Sequence, residues 1–439
     1  MTAVGPARTA RTVDECGSSA DADATSAAIP QSLQNIISEV VSTPLEQVRV
    51  RSSSFKMMVE RGCWYGALLG ALAAASRPAP LHLLNASGAT CLDGTPAGYY
   101  YRPALNASFA SLWVFSLEGG GECVDEASCA ERSLGSLGSS KLWAATGESF
   151  LSQFQDDNAT ANPDLFGAHH VFVRYCTGDL HLGTVDIPGD AQWGWARFAG
   201  ALVVDAVLDD LTVTAALSDA GLIVWSGDSA GGIGSAALLD AVAARLPSAR
   251  VVGAPIAGFY WNNSHPYTGA GAAPFTPFDA DAFRSYYTLW RARVPARCAT
   301  EPDAPFAEEP WLCMMLNFSI PTLASEVFVI EFETDSVQLS LHDGVPEFNS
   351  TYAPYVLEFG RNMSGALTRH VVRSDATARR GLFAAACFEH TTFDTAKPIV
   401  EGASYLDAFG DWLFGRGAHS GFFMDDCCSG AAVQFNPTC

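Results

Sequence analysis

At 439 residues, with 49% hydrophobic and only 16% charged residues, the chain can bury a large core and is too apolar to remain disordered. Its 25 Lys and Arg against 47 Asp and Glu give a formal net charge of -22, a field that repels nucleic acid and anionic membranes and argues against both as partners. No internal repeat is visible, so repeat architectures drop out.

Residues 1–35 are rich in Ala, Ser, Thr and Asp without apolar periodicity and read as disordered. Met57-Met58-Val59-Glu60-Arg61 then precedes an uncharged run, 62–76, that ends in small residues before Arg77-Pro78. A basic flank, an apolar run and small residues at the end describe a secretory signal peptide, too short for a membrane span. The expectation is a leader over 1–75, signal-like from 57 to 75, with Met57 or Met58 as the true start and an uncleaved signal anchor as the alternative. The folded domain then covers 76–439.

Leu112 to Leu117 is an apolar strand running into Glu118-Gly119-Gly120-Gly121, and 170–175 is a second strand. Residues 198–211 show helical periodicity, 222–225 form a strand, and 236–246 a helix. Arg250 to Ile256 and 327–332 are further buried strands, and Tyr405 to Phe414 is a late helix. Strands alternating with helices predict an α/β fold with a doubly wound, mostly parallel sheet in a single enlarged domain. Ligands of such sheets bind beyond the carboxyl ends of the strands.

The segment GLIVWSGDSAGGIGSAA, residues 221–237, sets Gly-Asp-Ser-Ala-Gly between a strand and a helix. This is the pattern of a nucleophile elbow with Ser229 at its tip, where glycines permit a turn too tight for larger neighbours. A serine nucleophile needs a base, an acid to orient it, and donors for the oxyanion. His342, His370, His390 and His419 follow the serine; His390 is preferred because Cys387 could pin its loop, with His419 the close competitor. Asp335, just past the strand 327–332, is the expected acid, with Glu331, Glu333 and Asp343 as rivals. Gly120 and Gly121 with Ala230 are the expected oxyanion donors; the rival phosphate-cradle reading lacks the following Lys-Ser/Thr. No metal or organic cofactor is needed.

Twelve cysteines are present, and ten follow the leader, an even number that permits five disulfides. No C-x-x-C pair suggests zinc. Seven sequons, at Asn85, Asn106, Asn158, Asn262, Asn317, Asn349 and Asn362, are available for glycosylation on a secretory route.

The run Cys91-Leu-Asp-Gly-Thr-Pro-Ala-Gly-Tyr-Tyr, LEGGGEC at 117–123, Val173-Arg-Tyr-Cys-Thr-Gly-Asp179, Gly227-Asp-Ser-Ala-Gly-Gly232 and Asp335-Ser-Val-Gln-Leu339 resemble, in this order, the pectin acetylesterase family, which includes the Notum carboxylesterases. Later segments around Cys387 to His390, Gly410 to Arg416 and the Cys-rich tail agree. The resemblance implies an α/β-hydrolase fold, a Ser229, Asp335, His390 triad, and Gly120, Gly121 and Ala230 as oxyanion donors. It also implies a secreted esterase, extracellular or of the cell wall, that removes O-acetyl groups from a polysaccharide or acts on another carboxylic ester, with no stable membrane insertion once the leader is removed. A Notum-like lipid or protein carboxylesterase is the alternative within the enzyme class, and an inactive glycan-binding protein the alternative outside it. The chain departs from the pattern at Glu122 and Thr391, where plant-type members carry Trp and Cys, and at Gly121, where the Notum branch carries Trp. These departures bear on substrate class rather than on catalysis.

Overall fold

The computed structural model describes residues 77–86, 88–147, 153–186, 193–263, 265–346, 351–374, 378–395, 397–416 and 421–439. Residues 1–76, which include the expected leader, with Cys16 and Cys63, and also Asn349 and His419, lie outside the described residues.

Among the described residues the strands are β1 Leu81–Leu83, β2 Gly98–Arg102, β3 Leu112–Leu117, β4 His169–Val173, β5 Leu222–Asp228, β6 Arg250–Ile256, β7 Glu326–Phe332, β8 Arg380–Ala385 and β9 Phe422–Met424. They form one sheet in the order β1-β2-β4-β3-β5-β6-β7-β8-β9. β1 and β2 pair antiparallel at one edge, and every pairing from β4 to β9 is parallel. This is the expected doubly wound sheet, with an antiparallel edge that the sequence reading did not include.

Parallel strands are buried on both faces, so their sequences run apolar without a break. Trp113, Phe115, Ile223 and Trp225 enter one core cluster, while the intervening Val114 and Val224 enter a second on the opposite face. Helices cover both sides. α1 is Glu126–Arg132, α2 Gly200–Thr214, α3 Ala230–Arg245, α4 Ala280–Trp290, α5 Ala353–Leu367 and α6 Tyr405–Phe414. α2 and α3 supply Val204, Val207, Ile233 and Leu239 to the first cluster, and α6 supplies Phe409 and Trp412 to the second.

β3 lies between β4 and β5, so the chain winds to one side after β3 and to the other after β4. A crevice opens at such a reversal, at the carboxyl ends of the strands. The loop after β3 is the glycine run and the turn after β5 holds Ser229, so both sit beside that crevice.

Ten cysteines pair as Cys91–Cys176, Cys123–Cys129, Cys298–Cys313, Cys387–Cys439 and the adjacent Cys427–Cys428. Among the sequon asparagines, Asn85, Asn106, Asn158 and Asn362 are exposed, whereas Asn317 is buried and is no glycan site in this fold.

Candidate active site

Ser229 joins β5 to α3 with φ 54° and ψ -119°, a conformation that a residue with a side chain adopts only when its surroundings enforce it. The enforcement comes from close backbone packing. A Cβ on Gly227 would lie 2.3 Å from the Gly231 carbonyl oxygen, and one on Gly231 would lie 2.0 Å from that of Leu117. Helix α3 therefore starts at Ala230, hard against β3. It begins earlier than the expected 236–246 because Ala-Gly-Gly, which reads as a turn, is the first turn of the helix.

His390 and Asp335 come from the ends of neighbouring strands, β8 and β7. The His390 Nδ1 is 2.6 Å from Oδ2 of Asp335, whose side chain is fully buried. The other carboxylate oxygen, Oδ1, accepts the N–H groups of Val337 at 2.9 Å and Gln338 at 2.8 Å. This carboxylate thus fixes both the imidazole and the π-helical turn Gln338–His342 that follows it. The Nε2 of His390 is buried with no hydrogen-bond partner among the described residues. Burial alone would lower the His390 pKa, but the Asp335 charge and hydrogen bond, with the charge of Asp228, outweigh it and hold it above the ordinary imidazole value.

Ser229, His390, Gly120, Gly121 and Ala230 line one cavity of about 600 Å³. The N–H groups of Gly120, Gly121 and Ala230 have no acceptor among the described residues, and Ala230 opens α3, where the helix dipole favours negative charge. The glycine loop is held from outside. Arg132 donates to the Gly120 carbonyl at 2.8 Å, and Cys123–Cys129 ties the loop to α1. At the root of the loop, Glu118 pairs with Arg174 at 3.0 Å and accepts the Tyr175 N–H at 2.7 Å. β4 ends at Val173, two residues before the expected 175, although the Arg174 N–H still reaches the Gly98 carbonyl of β2 at 3.2 Å. Burial, against the pull of Arg174, raises the Glu118 carboxyl to about 7.

The rival residues fall elsewhere. His342 lines the same cavity, but its Nδ1 is 3.0 Å from the Thr276 carbonyl rather than from a carboxylate. His370 lies on the turn Thr368–Val372 after α5. Asp343 accepts the Asn263 amide at 2.6 Å and the Tyr355 hydroxyl at 2.9 Å, and burial raises it to about 7. Glu333 accepts the Ser364 hydroxyl, and burial raises it to about 8.

Glu331 is different, because it touches Asp335. Its two oxygens accept the N–H groups of Phe259 at 2.8 Å and Phe332 at 3.0 Å, and its carboxyl also shares a hydrogen bond with Asp335. Burial and then the Asp335 charge push the Glu331 carboxyl far above the ordinary carboxylate range, which favours its protonated form beside Asp335. Tyr260, one residue beyond Phe259, lines the same cavity as Ser229. Sequence reading passed over Tyr260; its signal is a position just beyond the end of β6, where sheet-borne sites lie.

A strained serine at a strand–helix elbow, facing a histidine held by a buried carboxylate beside free backbone donors, defines an α/β-hydrolase. The pectinacetylesterase family profile matches residues 72–439, and the chain belongs to that family. It is 31% identical over 324 residues to the palmitoleoyl-protein carboxylesterase NOTUM of Mus musculus, covering 71% of this chain but only 59% of that protein. Pectin acetylesterase 7 of Arabidopsis thaliana is 26% identical over 413 residues, covering 86% of this chain and 97% of that one. The crystal structure of the Wnt deacylase Notum from Drosophila superposes with a TM-score of 0.67 at 25% identity, covering 80% of this chain and 97% of that chain.

Proposed function

We propose that this protein is a secreted serine carboxylesterase that removes O-acetyl groups from a polysaccharide, with Ser229 as nucleophile, His390 as base and Asp335 orienting it. The observation that carries the reading is the 2.6 Å contact of His390 Nδ1 with buried Asp335, which leaves Nε2 unpartnered in the cavity that Ser229 also lines. In the reaction, Nε2 takes the Ser229 proton as Oγ bonds to the acetyl carbonyl carbon. The Gly120, Gly121 and Ala230 N–H groups receive the oxyanion. Collapse breaks the C–O bond to the sugar, whose oxygen receives the proton from His390. Water, deprotonated by the same imidazole, then releases acetate and restores Ser229.

Five disulfides support a secretory destination. Among the described residues no helix is long and apolar enough to cross a membrane.

A second reading, hydrolysis of longer acyl esters, is favoured by the apolar walls Ile233, Phe278, Val337 and Leu341 of the cavity. It is also the activity named for the palmitoleoyl-protein relatives. A series of p-nitrophenyl esters from acetate to palmitate separates the two. The acetyl reading expects kcat/KM to peak at the shortest chains, and a maximum at long chains overturns it.

A further inference from the structure

The cavity around Ser229 is lined by acidic side chains and, as possible cations among the described residues, by imidazoles alone, His342 and His390. Glu122 and Asp228 line it, and no Lys or Arg does so among the described residues. The stretches of 77–439 outside the described residues contain no Lys or Arg either. The negative field continues beyond the lining. Glu122, Asp279 and Asp125 all act on the hydroxyl of Tyr286, which donates to the Pro277 carbonyl beside the cavity wall formed by residues 274–278.

Nearby cations are engaged on other partners. Arg132 donates to the Gly120 and Leu137 carbonyls and sits 5.0 Å from the centre of the Tyr175 ring, and Arg174 is paired with Glu118. The groove that does present Arg369 and Arg373 shares no residue with the catalytic cavity.

An ester on a polyuronate chain reaches a serine together with the carboxylates of its neighbouring sugars. In a cavity with carboxylates and no permanent counter-cation, His390 being neutral in the active form, their desolvation is uncompensated and their repulsion is felt at close range. A neutral acetylated sugar meets neither cost, and Glu122 can accept its hydroxyl hydrogen bonds.

We propose that the alcohol half of the substrate is a neutral glycan, an O-acetylated polymer of uncharged sugars, and that Glu122 is the residue that discriminates against polyuronates. This rests on the esterase reading of Ser229, Asp335 and His390.

The test measures acetate release from acetylated xylan and from acetylated polygalacturonate at matched acetyl concentration, with a chelator, at low and high NaCl. The wild-type enzyme should favour the xylan by about tenfold or more in kcat/KM at low salt, and the preference should shrink severalfold once salt screens the cavity. Glu122→Lys should lower that ratio by about fivefold or more, and Glu122→Gln by less. Equal or faster hydrolysis of the polyuronate by wild type at low salt, or an unchanged ratio in Glu122→Lys, overturns the proposal. So does turnover of p-nitrophenyl acetate with neither polymer attacked. Wild-type p-nitrophenyl acetate turnover reports the esterase reading separately, since its absence removes that reading and with it the specificity.

Discussion

In the proposed mechanism the proton path depends on a histidine whose charge is set by its neighbours. Because His390 must be neutral to accept the Ser229 proton and its pKa is held above the usual 6.5, kcat/KM should rise with pH through an ionisation above that value. Asp228→Asn removes one of the raising charges, so the midpoint should move toward acid; an unmoved midpoint would remove Asp228 from the control of His390. Glu331 presents a second residue-level test. Glu331→Gln retains a donor toward Asp335 and should keep turnover within about tenfold of wild type, whereas Glu331→Ala leaves Asp335 short of one donor and should lose more. The midpoint of the pH profile should shift in Glu331→Ala and be restored in the Gln variant. Equal losses and an unshifted profile in both would make Glu331 a packing residue.

At the scale of elements, the carboxyl ends of β3, β5, β7 and β8 carry the glycine loop, Ser229, Asp335 and His390, and each connection is fixed by its own device. The His390 loop is tied by Cys387–Cys439, which closes a sequence separation of 52 residues. Replacing both cysteines by serine should cost about 4 kcal/mol of stability and should lower turnover as well, because His390 lies three residues beyond Cys387. A lowered Tm with unchanged kcat would make that disulfide structural only. Gly231→Ala forces α3 from β3 and should cost about 1–3 kcal/mol, read by thermal unfolding.

The elements that carry the site were largely readable in the sequence. β3, β6 and α6 run over the same residues as expected, since buried parallel strands and an amphipathic helix leave unbroken or periodic apolar runs. β2, with sequence GYYYR, and β8, which opens on Arg380, were not read as strands. Arg380 is buried, its two terminal nitrogens donating to the carbonyls of Ser325, Ile320 and Leu323 while its Nε has no partner among the described residues, contacts that no local pattern announces. Ser229 and Asp335 were proposed because each follows a strand that the sequence shows, whereas His390 was proposed only from the nearby Cys387, since β8 before it was not read as a strand. The contact of Glu331 with Phe259 was not legible, because it depends on the pairing of β6 with β7.

For the molecule as a whole, buried acids make stability depend on pH. Glu333 and Asp343 titrate at about 8 and about 7 in the fold, well above unfolded carboxyls near 4. Between those values the folded state holds more protons than the unfolded state, so their contribution falls as pH rises and is lost above about 8. Buried His170 and His181, lowered by burial to about 3 and about 4, act oppositely, but only below the usual imidazole range. Thermal unfolding should therefore show Tm declining from about pH 6.5 to about 8.5, the window in which these carboxyls and His390, also raised in the fold, all contribute in the same direction. A Tm that rises across that window would contradict the protonated state of Glu333 and Asp343.

The decisive experiment compares p-nitrophenyl acetate turnover by residues 76–439, expressed through a secretory route, with Ser229→Ala and His390→Ala. Each substitution should reduce kcat by about a thousandfold or more with the far-ultraviolet spectrum and Tm essentially retained. Folded variants that turn over the ester as fast as wild type would contradict the assignment of Ser229 and His390 to the chemistry.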